Sequence, residues 1–251
     1  MDTRRAVLWN RLGLGPIWTE RQAPGAAEAQ AAGADVAGED AVTVDAAAQS
    51  GRAVERMGWD ELERTVAGCA ACGLCKGRTR TVFGIGDHAS EWMVIGEAPG
   101  AEEDLRGEPF VGQAGRLLDS ILGAAGLGRT AGGHAAVYIA NVVKCRPPGN
   151  RNPEPEEAAR CEPYLRRQIE LVRPRVILLM GRVAAQAMLG TEASIASLRG
   201  HAHRIDVTGV SVPVIVTYHP AYLLRNLADK AKVWADMCLA REVFERSPAR
   251  A

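Results

Sequence analysis

The 251-residue chain contains no run of the roughly 18–20 consecutive apolar residues that a bilayer-spanning helix requires. Its N-terminus also lacks the continuous apolar segment of a signal peptide, so a cytoplasmic protein with no membrane partner is expected. Neither GxGxxG nor GxxxxGK[ST] occurs, which excludes the common glycine loops for dinucleotides and nucleoside phosphates. No internal repeat is present. Net charge is absent as well, since 30 basic residues balance 30 acidic ones. The balance is uneven along the chain: residues 1–50 hold four Arg, no Lys and seven Asp or Glu, leaving 26 basic and 23 acidic residues beyond them. That mild excess permits a local nucleic-acid patch without demanding one.

The length suits one sizeable α/β domain with a tail. Residues 1–22 carry Leu8, Trp9, Leu12, Leu14, Ile17 and Trp18, the pattern of a short amphipathic helix able to dock on the main domain or on a partner. Residues 23–55, rich in Ala and Gly and poor in large apolar side chains, read as a disordered linker. Order returns with Trp59, Leu62 and Val66 on one helical face, and residues 56–251 form the main domain. Four apolar runs, at 92–96, 137–140, 176–180 and 212–218, alternate with helical patterns at about 116–126, 155–171, 182–189 and 229–246. Such alternation predicts an α/β fold: a three-layer α/β/α domain with a central, mostly parallel four-stranded sheet. In the last helix Val233, Trp234, Met237, Leu239 and Phe244 form the expected buried side. Cys238 is expected to be a buried apolar side chain, and His201 and His203 to be exposed without a role.

The stretch GEAPGAEEDLRGEPFVGQAG, from Gly96 to Gly115, follows the apolar run Trp92-Met93-Val94-Ile95 and precedes a helical pattern. It therefore sits at the carboxyl end of a strand, where open α/β sheets bind their ligands. Gly96 and Gly100 let backbone N–H groups approach a ligand, Glu97, Glu102, Glu103 and Asp104 crowd carboxylates beside them, and Phe110 supplies a flat face. Asn141 ends the second strand and His219-Pro220 the fourth, so a parallel sheet gathers them at the same edge.

Cys69 and Cys72 form a CxxC pair, whereas Cys145 and Cys161 lie far downstream with fifteen residues between them. In a reducing compartment such cysteines are ligands or buried thiols rather than disulfides. Four thiolates from two distant segments suit a tetrahedral zinc or a cubane iron–sulfur cluster, and the wide spacing of the second pair favours the cluster. Cys75 is a fifth thiol beside them.

In combination, GEAPGAEEDLRGEPFVGQAG, NVVKCRPPGNRNPEPEEAARC and HPAYLLR resemble the family 4 uracil-DNA glycosylases, the iron–sulfur type, in motif order over about residues 65–245. The resemblance implies a repair enzyme that hydrolyses the N-glycosidic bond of deoxyuridine in single- and double-stranded DNA and leaves an abasic site. It implies a structural [4Fe-4S] cluster on Cys69, Cys72, Cys145 and Cys161, with Cys75 outside the set. The uracil would leave the duplex, stack on Phe110 and pair its N3–H and O4 with the Asn141 amide. Main-chain N–H groups around Gly96, Glu97 and Ala98, together with His219, would stabilise charge at O2. Glu97 would orient water or stabilise the sugar cation; Ala98 stands where many uracil glycosylases carry an Asp. Leu223 or Leu224 would fill the gap in the helix and Arg225 would reach a phosphate, while Lys144, Arg146, Asn150 and Arg151 would hold the DNA backbone. The implied partner is uracil-containing DNA, bound by a monomer, with residues 1–22 free to contact a replication or repair protein. A non-catalytic uracil-DNA-binding relative is the alternative, but the Arg-rich insert ending in His of such relatives is missing between Lys144 and Cys161. An iron–sulfur redox protein is a weaker one, for want of a flavin or nicotinamide site.

Overall fold

Alternation inside the apolar runs decides the layering, because successive side chains of a strand point to opposite faces. In strand β1 (Trp92–Gly96), Met93 and Ile95 face one core and Trp92 and Val94 the other. Strands β2 (Val137–Asn141) and β3 (Val176–Met180) divide in the same way, Tyr138 and Ile177 against Ile139 and Leu178. Both faces are buried, as a parallel sheet requires. These observations come from a computed structural model, which describes residues 54–248. The amphipathic helix expected at 1–22 and nearly all of the linker expected at 23–55 lie outside the described residues.

The sheet has five strands in the order β2-β1-β3-β5-β4, not the expected four. Strands β2, β1, β3 and β5 (Val210–Thr217) are parallel, and β4 (Ala202–Val207) pairs antiparallel with β5 at one edge. The added strand has little apolar content, with only Ile205 and Val207 fully buried. A two-residue turn, Thr208-Gly209, joins it to β5 with φ of 50° and 80°, the left-handed pair that matches strand twist in a hairpin. His203 lies on this strand, half-buried, and its Nε2 lies 2.7 Å from the Leu198 carbonyl.

One face is covered by helices α4 (Pro155–Val172), α5 (Arg182–Leu189) and α6 (Ile195–Leu198), through Leu165, Ile169, Ala184 and Leu198. The other is covered by α3 (Gln113–Ala124), α7 (Pro220–Leu223) and α8 (Lys230–Arg246), through Leu118, Leu122, Val233 and Met237. The result is the expected three-layer α/β/α arrangement. Helix α4 begins with Pro155, whose missing N–H costs nothing at that position, and Glu157 accepts the Glu154 N–H at 2.8 Å. In α8 the buried stripe is Val233, Met237 and Ala240, a helical repeat that leaves Trp234 48% exposed, contrary to expectation. Cys238 is exposed too, one position beyond that stripe. Helix α1 (Trp59–Ala67) buries Leu62 and Val66 with Val54 and Phe83 in a small satellite core. No helix among the described residues is long and apolar enough to cross a membrane.

Candidate active site and thiol site

The register of the sheet builds the site. Gly96 pairs with Asn141 at the last positions of β1 and β2, while β5 ends at Thr217, so Tyr218 and His219 emerge from the same edge. Gly96 is where these groups meet: a β-carbon there would collide with Asn141 Oδ1 and lie 2.6 Å from Phe110 Cζ. The Phe110 ring in turn stacks on the His219 imidazole, 5.4 Å between centroids and 28° between planes. Phe110, Asn141 and His219, expected from three separate motifs to share one pocket, are therefore brought together.

Asn141 is 2% exposed, and its Oδ1 has no hydrogen-bond partner among the described residues. A buried amide oxygen without a partner costs about 1–3 kcal/mol, so a position of this kind is one that a ligand can repay. His219 caps α7, its Nδ1 accepting the Ala221 N–H at 3.1 Å. That bond places the ring proton on Nε2. Burial lowers the His219 pKa to about 4, with Arg225 acting in the same direction and Glu103 against it, so the ring is neutral at physiological pH. Glu97 follows Gly96; burial raises its carboxyl pKa and Arg182, at the start of α5, opposes the rise.

Two of the four loop carboxylates turn out to be fasteners rather than ligand-facing groups. Glu103 accepts the Gly100 N–H with one oxygen and the Val111 and Gly112 N–H groups with the other, each at 3.1 Å. Asp104 is buried and accepts the Thr79 N–H at 2.9 and 3.0 Å. They close the loop on α2 (Ala101–Arg106) and tie it to the segment after the first cysteines. Phe110 itself has φ of 55°, a strained conformation for a bulky residue, worth about 1–3 kcal/mol.

The side chains expected to contact DNA differ in burial and in the partners they already hold. Lys144 is 1% exposed and donates to the Asn141 carbonyl at 2.9 Å and to Gln168 Oε1 at 2.6 Å, so it cannot reach a phosphate. Arg151 forms a bidentate pair with Glu157 at 2.7 and 2.8 Å, and its charge is already matched. Arg146 donates to Asn150 Oδ1 at 2.6 Å. Leu223 is fully buried in the core beneath α7 and cannot serve as a wedge; Leu224 is half-buried and Arg225 exposed.

All five clustered cysteines, Cys69, Cys72, Cys75, Cys145 and Cys161, line one recess. No three Cys, His, Asp or Glu among the described residues are grouped as for a single metal ion. A zinc site draws its sulfurs to within about 2.3 Å of one point, whereas a cubane places each thiolate on a different iron and spreads them apart. The thiols gathered in this recess are donors of the kind such a cluster takes. Arg78 supports it: its Nη1 donates to Cys145 Sγ at 3.2 Å and to the Cys69 carbonyl at 2.7 Å. Tyr164 donates to Cys69 Sγ at 3.4 Å. Neither residue stands out in the sequence, although an Arg three residues beyond a CxxCxxC run is a signal for a cation beside thiolates.

The fold gathers this pocket at the carboxyl edge of a parallel sheet, and comparison with known proteins supplies the class. Residues 83–238 match the uracil DNA glycosylase superfamily. A type-4 uracil-DNA glycosylase of Archaeoglobus fulgidus is 44% identical over 169 residues, 66% of this chain and 82% of that protein. One of Thermotoga maritima is 45% identical over 65% of this chain and 82% of its own length. One of Pyrobaculum aerophilum is 39% identical over 73% and 93%. The chain belongs to the type-4 uracil-DNA glycosylase family.

Proposed function

We propose that the protein hydrolyses the N-glycosidic bond of deoxyuridine in single- and double-stranded DNA, releasing uracil and leaving an abasic site. The observation that carries this reading is the unpartnered Oδ1 of Asn141, buried against Gly96 and beside the Phe110 ring. An amide with a free acceptor and a donor matches the N3–H and O4 of uracil, whereas cytosine offers the reverse pattern. The C1′–N1 bond breaks with its electron pair passing to the uracil ring, and a water oxygen bonds to C1′ as its proton passes to solvent. Neutral His219 donates from Nε2 to O2, where the charge collects, and the main-chain N–H groups at Glu97 and Ala98 assist. The Glu97 carboxylate faces the positive charge on the sugar. Arg225 and half-buried Leu224, rather than Leu223 or Lys144, engage the DNA.

Cys69, Cys72, Cys145 and Cys161 would hold a [4Fe-4S] cluster, which when bound would tie the loop before β1 to the loop after β2 and to α4. Cys75 stands outside the set. Iron and sulfide content with anaerobic absorption separates this cluster from zinc. The function is tested with an oligonucleotide carrying one deoxyuridine, followed by alkali. Strand scission is expected on single and double strands alike; a gel shift without scission by cluster-loaded protein overturns the enzymatic reading.

A further inference from the structure

The geometry points to Arg129 as the positioning residue that holds the Phe110 ring in the base pocket. Phe110 sits at φ of 55°, where its β-carbon and backbone crowd each other, so a single ring placement persists only if the surroundings enforce it. The enforcement is visible. Arg129 Nη2 donates to the Phe110 carbonyl at 3.0 Å and Nη1 to the Pro109 carbonyl at 2.8 Å. Its Nε is taken by Asp119 Oδ1 at 2.8 Å, on α3. The guanidinium thus spans two successive carbonyls and one carboxylate, with every nitrogen engaged.

The Arg129 side chain is 13% exposed, against 49% for Asp119, so the clamp is sheltered from competing water. Gly115 completes the seat, since a β-carbon there would collide with the Phe110 carbonyl oxygen. On the far side the ring meets Gly96 and His219. Arg129 itself lies in the turn between α3 and β2 and touches the pocket only through the backbone that carries the ring. Lysine cannot substitute, because one ammonium on a flexible stem does not present three donors in a plane. Displacing a group that positions a reacting substrate by about 1 Å can slow chemistry about 100-fold, so a clamp outside the pocket has a kinetic signature.

This inference rests on the pocket proposed above, and a double-mutant cycle separates the two. Single-turnover rates on a deoxyuridine oligonucleotide are measured for the parent, Arg129→Lys, Phe110→Ala and the double variant. Arg129→Lys is expected to lower the parent rate about 10- to 100-fold, with oligonucleotide Kd unchanged. In the Phe110→Ala background it is expected to change the rate by less than about twofold, since the ring it positions is gone. Equal loss in both backgrounds, or no loss in the parent, overturns the role of Arg129. An inactive parent overturns the functional reading instead. Should Arg129→Lys fail to fold, Asp119→Ala, which removes the acceptor of the guanidinium Nε at an exposed position, takes its place in the cycle. A smaller loss confined to the background that keeps Phe110 is then expected, and equal loss in both backgrounds, or none, again overturns the role of Arg129.

Discussion

The Lys144 ammonium donates to the main-chain carbonyl of Asn141 at 2.9 Å, inside the protein and next to Cys145. A lysine that borders the thiol site therefore holds the strand end that presents the amide proposed to read the base. Gln168 accepts a second bond from the same ammonium and passes its own N–H groups to the Phe83 carbonyl and the Tyr138 hydroxyl. Lys144→Met fills the space but leaves the Asn141 carbonyl and Gln168 Oε1 buried without donors, at about 1–3 kcal/mol each. The expected result is a lower Tm and slower excision on single- and double-stranded substrate by the same factor. The salt dependence of DNA binding should stay as in the parent. A residue neutralising a phosphate would instead reduce the slope of log K against log salt by about one, and that outcome would return Lys144 to the DNA interface.

His219 carries a pH prediction whose sign is fixed by its burial. Its pKa falls from 6.5 in the unfolded chain to about 4 in the fold. The unfolded state then binds the extra proton between those values, so the contribution of His219 to stability is complete above about pH 6.5 and is lost as pH falls toward 4. Protonation also removes the Nδ1 lone pair that caps α7. The stability difference between the parent and His219→Gln should shrink steadily over that window. The excision rate should show no inflection near pH 6.5. An inflection there, absent from His219→Gln, would mean that the imidazole titrates as if exposed.

Leu223 and Leu224 are adjacent in sequence but have different fates. Leu223 is fully buried with Val233 and Met237, and Leu223→Ala should cost about 2–5 kcal/mol of stability through the cavity it leaves. Leu224 is half-buried beside exposed Arg225. Leu224→Ala should keep the parental Tm and single-strand rate while slowing excision from duplex DNA, because only the duplex needs its gap filled. Equal rates of Leu224→Ala and parent on a duplex would exclude it as the wedge.

Whether a residue's place is legible in the sequence depends on how local its environment is. Gly96, Asn141 and His219 are legible because each ends an apolar run, and parallel strands bring such ends together. Strand β4 is not, since His203, Arg204 and Asp206 dilute its apolar pattern; the Thr208-Gly209 turn is the signal available. Lys144 sits in a run with Arg146 and Arg151 that resembles a solvated basic patch. Its burial is set by Gln168, 24 residues downstream on another element. Arg129 and Arg78 lie in turns without periodicity; the spacing of Arg78 from the CxxCxxC run is the one signal available, and the folded backbone reveals the carbonyls and sulfur the two serve. The number of strands differs from expectation, but the sheet edge that gathers Gly96, Asn141 and His219 does not.

Selectivity for uracil should reside in the Asn141 side chain, and Asn141→Asp tests it without altering size. The parent amide presents one acceptor, which is unpartnered, and one donor. An ionised aspartate presents two acceptors: it can meet N3–H, but it repels O4 and adds a charge to a site that is 2% exposed. Uracil excision should fall on the order of 10²–10³-fold, the scale of losing a positioned donor in a buried site. The same carboxylate can accept the exocyclic amine of cytosine, so slow cytosine release should become measurable where the parent shows none. Matched single-turnover assays on oligonucleotides differing only in U or C read both effects. Parental rate and selectivity in Asn141→Asp would mean that the base is read elsewhere, most directly by the main-chain groups at Glu97 and Ala98, and would leave the unpartnered oxygen of Asn141 without a function.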